Sequence, residues 1–286
     1  MITIKNESQI EKMRKAGALL RSVLDALRSE IEPGVTTLHL DQMAERLIRE
    51  GGGIPSSKGY EGFPYSICAS VDDQVVHGFP NKTKLRKGQL LSVDCTCLLD
   101  GWQSDSAFSV VVGGGNEAAQ KLMEDTEKCF WLGARQAVAG NRLGDIGHAV
   151  QAFAESQGYG VVRDLCGHGI GMEMHEDPNV PNYGVPGRGV RLQKGMTLTI
   201  EPMISAGTWK VYCEDNDWTI VTRDRSLASH YEHTLLITDG EPELLSWPGK
   251  RLSEVISLEG EILPGFVAYG DVSNQKAEAS RQEAMK

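Results

Sequence analysis

The sequence predicts an α+β fold laid out on a duplicated plan, and two observations carry that prediction. Helical and strand-like segments come in blocks, in the order helices, strands, helices, strands, which is the pattern of an α+β domain. A short echo between the two halves points to duplication. Lys87-Gly88 opens the stretch KGQLLSVD, which ends on Asp94, and Lys194-Gly195 opens KGMTLTIE, which ends on Glu201 at the same spacing. Each block enters an apolar strand through a Lys-Gly turn and closes on one carboxylate.

The elements follow in chain order. Ser8-Gln9-Ile10-Glu11 has the form of a capping box, with Ser8 as N-cap and Glu11 reaching back. It opens a helix with Ile10, Met13, Ala16, Leu19 and Leu20 at helical spacing. Pro33-Gly34 ends that segment, and a second helix runs from about Thr37 to the stop at Gly51-Gly52-Gly53. Strand-like segments follow up to about Val112: YSICASV, QVVHGF, QLLSVDCTCLL and SDSAFSVVV. Helical periodicity returns from Asn116 to about Ala139 and from Arg142 to Gln157. GVVRDLC, MTLTIEPMI, DWTIVT and YEHTLLIT then read as strands. Residues 1–247 are expected to form a single domain, with 248–286 a C-terminal extension of short extended pieces and a polar, frayed, partly disordered end.

Composition narrows the function classes. Hydrophobic content of 40% and charged content of 24% are those of an ordinary globular protein. No apolar run is long enough to span a membrane, and the opening MITIKNESQIEKM lacks a signal-peptide pattern, so the chain reads as cytoplasmic. The net charge is −10, with no basic patch or stripe, which argues against a nucleic-acid partner. The six cysteines (Cys68, Cys95, Cys97, Cys129, Cys166 and Cys213) include no Cys-x-x-Cys and suit neither a disulfide scaffold nor a zinc ribbon. They read as reduced, mostly buried thiols.

Asp100-Gly101, in VDCTCLLDGWQSDSAF, is a strong signal for a two-residue hairpin. With that turn, Leu99 pairs with Trp102, Thr96 with Asp105 and Asp94 with Ala107. Asp94 and Asp105 then lie diagonally on one face, while Cys95 and Cys97 point to the other. Two neighbouring carboxylates repel unless they share a proton or a cation sits between them. A solvent-exposed face with two harmless aspartates is the alternative, and these residues alone leave both readings open. His168, between glycines in CGHGIG, is a side chain that could be delivered into a crowded site by unusual backbone angles or close approach. Glu201 and Glu232 repeat the pattern of a lone acid at or beside an apolar strand. A site of four carboxylates and one imidazole favours Mn(II), Fe(II) or Co(II), with Zn(II) not excluded. Two ions would balance four carboxylates better than one.

These residues, with VVHGFP, VVRDLCGHGIG, MHEDP, TIEPMI, DWTIVTRDRSLASHYEHT and the opening IEKMRKAG, resemble the bacterial type I methionine aminopeptidases. That family sits within the pita-bread group, which includes prolidase and creatinase. The resemblance runs from about residue 2 to 246. It implies a curved antiparallel sheet flanked by two helix pairs with pseudo-twofold symmetry. It implies two divalent metal ions held by Asp94, Asp105, His168, Glu201 and Glu232, with Asp105 and Glu232 bridging them. His77 and His175 would contact the substrate, and Glu201 would carry a proton. A methionine pocket would comprise Tyr60, Phe63, Cys68, Met174 and Trp218. Met174 stands where relatives commonly carry Phe, and Phe63 where they often carry Tyr. The implied activity is removal of the initiator methionine from nascent polypeptides, at the ribosome or free of it, by attack of a metal-bound hydroxide, with a small second residue preferred. The enzyme is expected to be a monomer. A prolidase would carry a sizeable extra N-terminal domain, whereas here helix signals begin at residue 8. The short spacings from His168 to Glu201 and on to Glu232 leave no room for the long insertion of type II enzymes.

Overall fold

The computed structural model describes residues 1–257 and residue 263. Helix α1 spans Glu7–Glu30, two residues longer at its start than the Ser8 cap implies. Asn6 is the N-cap instead: its Oδ1 accepts from the Gln9 amide at 3.1 Å, and the Gln9 side chain accepts from the Asn6 amide at 2.9 Å. Asn caps as well as Ser, and the earlier start places Ser8 and Glu11 inside the first turns. Helix α2 (Thr37–Glu50) is capped by Thr36, whose hydroxyl accepts from the His39 amide at 3.2 Å. Helix α3 (Glu117–Ala134) is capped by Asn116, and α4 spans Leu143–Ser156. Helix α3 stops short of the expected Ala139, because Val138 and Ala139 leave it to meet Thr238. The helices form two pairs, α1 against α2 and α3 against α4.

The helices flank a nine-stranded sheet in which every strand pair is antiparallel. Its central strands are the hairpin Leu90–Leu99 and Trp102–Val111, followed by Glu232–Leu236 and Thr197–Ile200. Gly167–Gly169 and Glu176–Val180 extend the sheet beyond Thr197–Ile200. The hairpin register agrees with the sequence reading, with Leu99 opposite Trp102, Thr96 opposite Asp105 and Asp94 opposite Ala107. Asp100 and Gly101 both have positive φ, at 50° and 81°, as a turn matched to strand twist requires. Gly88 (φ 85°) and Gly195 (φ 89°) share the left-handed conformation at the two Lys-Gly turns, so the echo in sequence is also an echo in backbone.

Two chain segments change sheets. MTLTIEPMI breaks at Glu201-Pro202 into Thr197–Ile200 in the large sheet and Met203–Ser205 in a small three-stranded one. Proline has no N–H to continue a ladder. The chain around Tyr231 does the same: Ala228–His230 pairs with Met203–Ser205, and Glu232–Leu236 pairs with Thr197–Ile200. The two switches lie side by side, joined by the Tyr231 amide donating to the Pro202 carbonyl at 3.3 Å. Glu201, His230 and Glu232 therefore sit at a seam between sheets.

Cys95 and Cys97 are fully buried in the main hydrophobic cluster beneath α1, and the Cys97 thiol faces the Ala16 carbonyl at 3.5 Å. Of the segment after residue 247, Leu252, Val255 and Ile256 pack into the same cluster. The polar stretch expected to fray lies outside the described residues.

Candidate metal centre

The cross-strand register builds the site. Asp94, Ala107 and Glu232 stand in one row across three adjacent strands. The small Ala107 side chain leaves space between the two acids. Asp105 joins them diagonally from its place opposite Thr96, and its backbone is clamped by Thr234. The Thr234 hydroxyl accepts from the Asp105 amide at 3.1 Å and donates to its carbonyl at 2.9 Å. Glu201 enters from the seam. Thr199, two residues back on the same face, donates its hydroxyl to Glu201 Oε1 at 3.1 Å and accepts from the His168 amide at 3.0 Å.

His168 is delivered by close approach rather than by unusual backbone angles. Neither Gly167 nor Gly169 has positive φ. A Cβ on Gly167 would lie 2.5 Å from the Thr199 carbonyl oxygen, and one on Gly169 would lie 2.1 Å from that of Asp177. His168 Nδ1 meets the Gly169 carbonyl at 2.9 Å. Donation there fixes the tautomer and turns the lone pair of Nε2 toward the acids.

His168 Nε2 converges on the acids without hydrogen-bonding them. His168 Nε2 lies 3.8 Å from Asp105 Oδ2 and 3.6 Å from Glu201 Oε1. These gaps are too long for hydrogen bonds, but they match donors that share one ion at about 2.0–2.2 Å each. Glu232 Oε1 is buried with no hydrogen-bond partner among the described residues. Two triads have ligand atoms within 4.8 Å of one another, Asp105–His168–Glu232 and Asp94–His230–Glu232. The residues thus fit a divalent cation centre.

Electrostatics agree. Burial pushes the Asp94 carboxyl up to about 6. Burial and the neighbouring carboxylates push Asp105, Glu201 and Glu232 well above the usual range. Burial, with His175 beside it, pushes His168 down to about 3. A cluster of acids that repel in a poorly solvated site is relieved by cations.

The acids line a cavity of about 380 Å³ that also takes in every residue expected to bind substrate: Tyr60, Phe63, Cys68, His77, Met174, His175 and Trp218. Phe63 stacks edge-on against Trp218 at 5.1 Å between ring centroids, and Trp218 stands 6.1 Å from His77. Tyr60 Oη and His175 Nδ1 share a hydrogen bond of 2.7 Å. His175 packs edge-on against His168 at 4.3 Å. His77 takes φ 57°, a sparsely populated backbone state for a residue other than glycine. Burial pushes its imidazole down to about 4, and burial lowers His175 as well. Sequence reasoning missed His230 and Thr199. Each lies two residues before a singled-out glutamate, and that i, i+2 relation is the signal that could have found them.

Converging acids and imidazoles at one end of an apolar compartment, on an antiparallel sheet backed by helix pairs, define a metal-dependent hydrolase. The chain belongs to metallopeptidase family M24, which it matches over residues 11–239. It is 52% identical over 247 residues to a methionine aminopeptidase of Clostridium acetobutylicum, covering 86% of this chain and 99% of that protein. The crystal structure of methionine aminopeptidase from Rickettsia prowazekii superposes with a TM-score of 0.85 at 39% identity, covering 86% of this chain and all of that one. The prolidase of Pyrococcus horikoshii, at 22% identity and a TM-score of 0.69 over 65% of its own length, shares the fold. This is the pita-bread architecture that the sequence resemblance implies.

Proposed function

We infer that the chain removes the N-terminal methionine from polypeptides in a metal-dependent hydrolysis. One observation carries this reading: a single cavity joins the buried acids to an aromatic-lined apolar compartment. Asp94, Asp105, His168, Glu201 and Glu232 would hold two divalent ions, of Mn, Fe, Co or Zn, with Asp105 and Glu232 serving both. Such ions, when bound, polarise a carbonyl and lower the pKa of water enough to supply a nucleophile near neutral pH.

The remaining roles belong to the chain's own side chains. Tyr60, Phe63, Cys68, Met174 and Trp218 enclose an unbranched apolar side chain, and Met174 adds a flexible thioether to the lining. Burial lowers both imidazoles, so His77 and His175 favour the neutral form and can hydrogen-bond to the substrate. The free α-amino group of the substrate would bind at the metal centre, which would account for action at chain ends alone. Thr199 steadies Glu201 Oε1, orienting the carboxylate that carries a proton to the leaving amine. The second residue of the substrate must pass the crowded acids, which favours small side chains. The proposed catalytic unit is residues 1–247, working as a cytoplasmic monomer on nascent chains, including those at the ribosome.

The test is an assay on Met-Gly-x and x-Pro peptides, first metal-free and then with Mn(II), Fe(II) or Co(II). Metal-dependent release of methionine is expected. No release under any metal would refute the reading, and cleavage of x-Pro peptides alone would make the chain a prolidase.

A further inference from the structure

His230 lies outside the five residues proposed above to hold metal, yet it sits at the seam where the chain changes sheets. Its side chain is 2% exposed, and Nε2 is buried with no hydrogen-bond partner among the described residues. That atom stands 3.7 Å from Glu232 Oε2 and 4.0 Å from Glu201 Oε2. With Asp94 and Glu232 it forms a triad of donor atoms within 4.8 Å, the counterpart of Asp105–His168–Glu232. The two triads share Glu232. Each has one aspartate from the hairpin and one imidazole from a strand that pairs elsewhere.

A purely structural histidine would be expected to spend its buried nitrogen on a hydrogen bond. Leaving a buried polar atom unpaired is costly, and here Glu232 Oε1 of the same cluster has no hydrogen-bond partner among the described residues either. A carboxylate and an imidazole facing one another beyond hydrogen-bond range are both satisfied by a cation between them.

We infer that His230 is a sixth donor of the centre, binding through Nε2 the ion on the Asp94 side, so that each ion has one imidazole ligand. The inference rests on the metal-site reading above and deepens it. Imidazole adds no charge, so the balance of four carboxylates against two divalent ions is unchanged. It tilts the Asp94 side toward Fe(II), Co(II) and Zn(II), which imidazole suits, and away from ions that prefer an all-oxygen site.

Metal-free protein and its His230→Gln variant would be titrated with Co(II) by calorimetry. The Co(II)-loaded proteins would then be examined by proton NMR for paramagnetically shifted imidazole N–H signals that exchange with solvent. Wild type should take up two ions and show two such signals. His230→Gln should lose one signal and bind one of its ions at least about 10-fold more weakly, the lower end of what losing an outer-sphere partner costs. Two bound ions with a single shifted N–H in wild type would overturn the inference without touching the metal-site reading. That count needs no variant to fold. No Co(II) uptake at all would instead overturn the metal-site reading.

Discussion

Replacing Gly167 with alanine tests whether strand spacing sets the geometry of the centre. The added Cβ would lie 2.5 Å from the Thr199 carbonyl oxygen, against 3.4 Å for ordinary contact. The strands carrying His168 and Thr199 must therefore part by about 0.9 Å, the difference between those distances. Overpacking of this kind typically costs about 1–3 kcal/mol. For a chain of this length each kcal/mol lowers Tm by roughly 2–4 °C. The local effect should exceed the global one. The Thr199 hydroxyl holds both the His168 amide and Glu201 Oε1, so one displacement moves two groups of the centre. A misplacement near 1 Å costs on the order of 10²-fold in rate. The assay pairs thermal melts of metal-free protein with kcat on a Met-Gly-x peptide at saturating Co(II). A small fall in Tm with a kcat loss near 10²-fold is expected. Unchanged Tm and kcat would refute the reasoning, because the backbone would then have to accept a methyl where no space exists.

Two further outcomes follow from the same site. Metal-free protein should lose stability as pH rises above about 6.5, the ordinary histidine value. There the imidazoles are neutral folded and unfolded alike, while Asp105, Glu201 and Glu232, with raised pKa values, keep protons the unfolded chain has lost. The folded state then binds more protons, so stability falls with pH. Below 6.5 the depressed His77, His168 and His230 take protons first in the unfolded chain, so their contribution is lost as pH falls, opposing the carboxylates. Saturating Mn(II) or Co(II) should reverse the alkaline slope, since ions bind deprotonated ligands; melts from pH 6.5 to 9 with and without chelator measure both, and a metal-free Tm that rises with pH would contradict the assignment. Asp105→Asn should keep the fold, because Thr234 holds the Asp105 backbone rather than its carboxylate. It should cut kcat at least about 10²–10³-fold, the scale for losing one electrostatic stabiliser. Near-normal turnover would show that Asp105 does not serve both ions.

The reach of local rules explains how far the sequence could be read. Asp100-Gly101 and strand alternation determined that Asp94 and Asp105 share a face and that Cys95 and Cys97 turn into the core, because hairpin register depends on neighbours within a few residues. The same locality misled at the start of α1, where the Ser8 pattern was expected to cap the helix and the folded backbone uses Asn6 instead. Flanking glycines and lone acids beside apolar strands singled out His168, Glu201 and Glu232, but joining them to the two aspartates took the family motifs, because their meeting depends on strands far apart in the chain.

By itself the sequence determined the element order, the hairpin register and the identity of the acids, since each is written in short-range pattern. The tertiary structure decided the rest. Gly167 and Gly169 serve through strand separation, which no spacing rule reports. His230 counts because two segments change sheets side by side at Pro202 and Tyr231, turning an ordinary i, i+2 neighbour of Glu232 into a second imidazole facing the acids. Whether a buried nitrogen has a partner depends on every group packed around it, and that is settled only when the sheets come together.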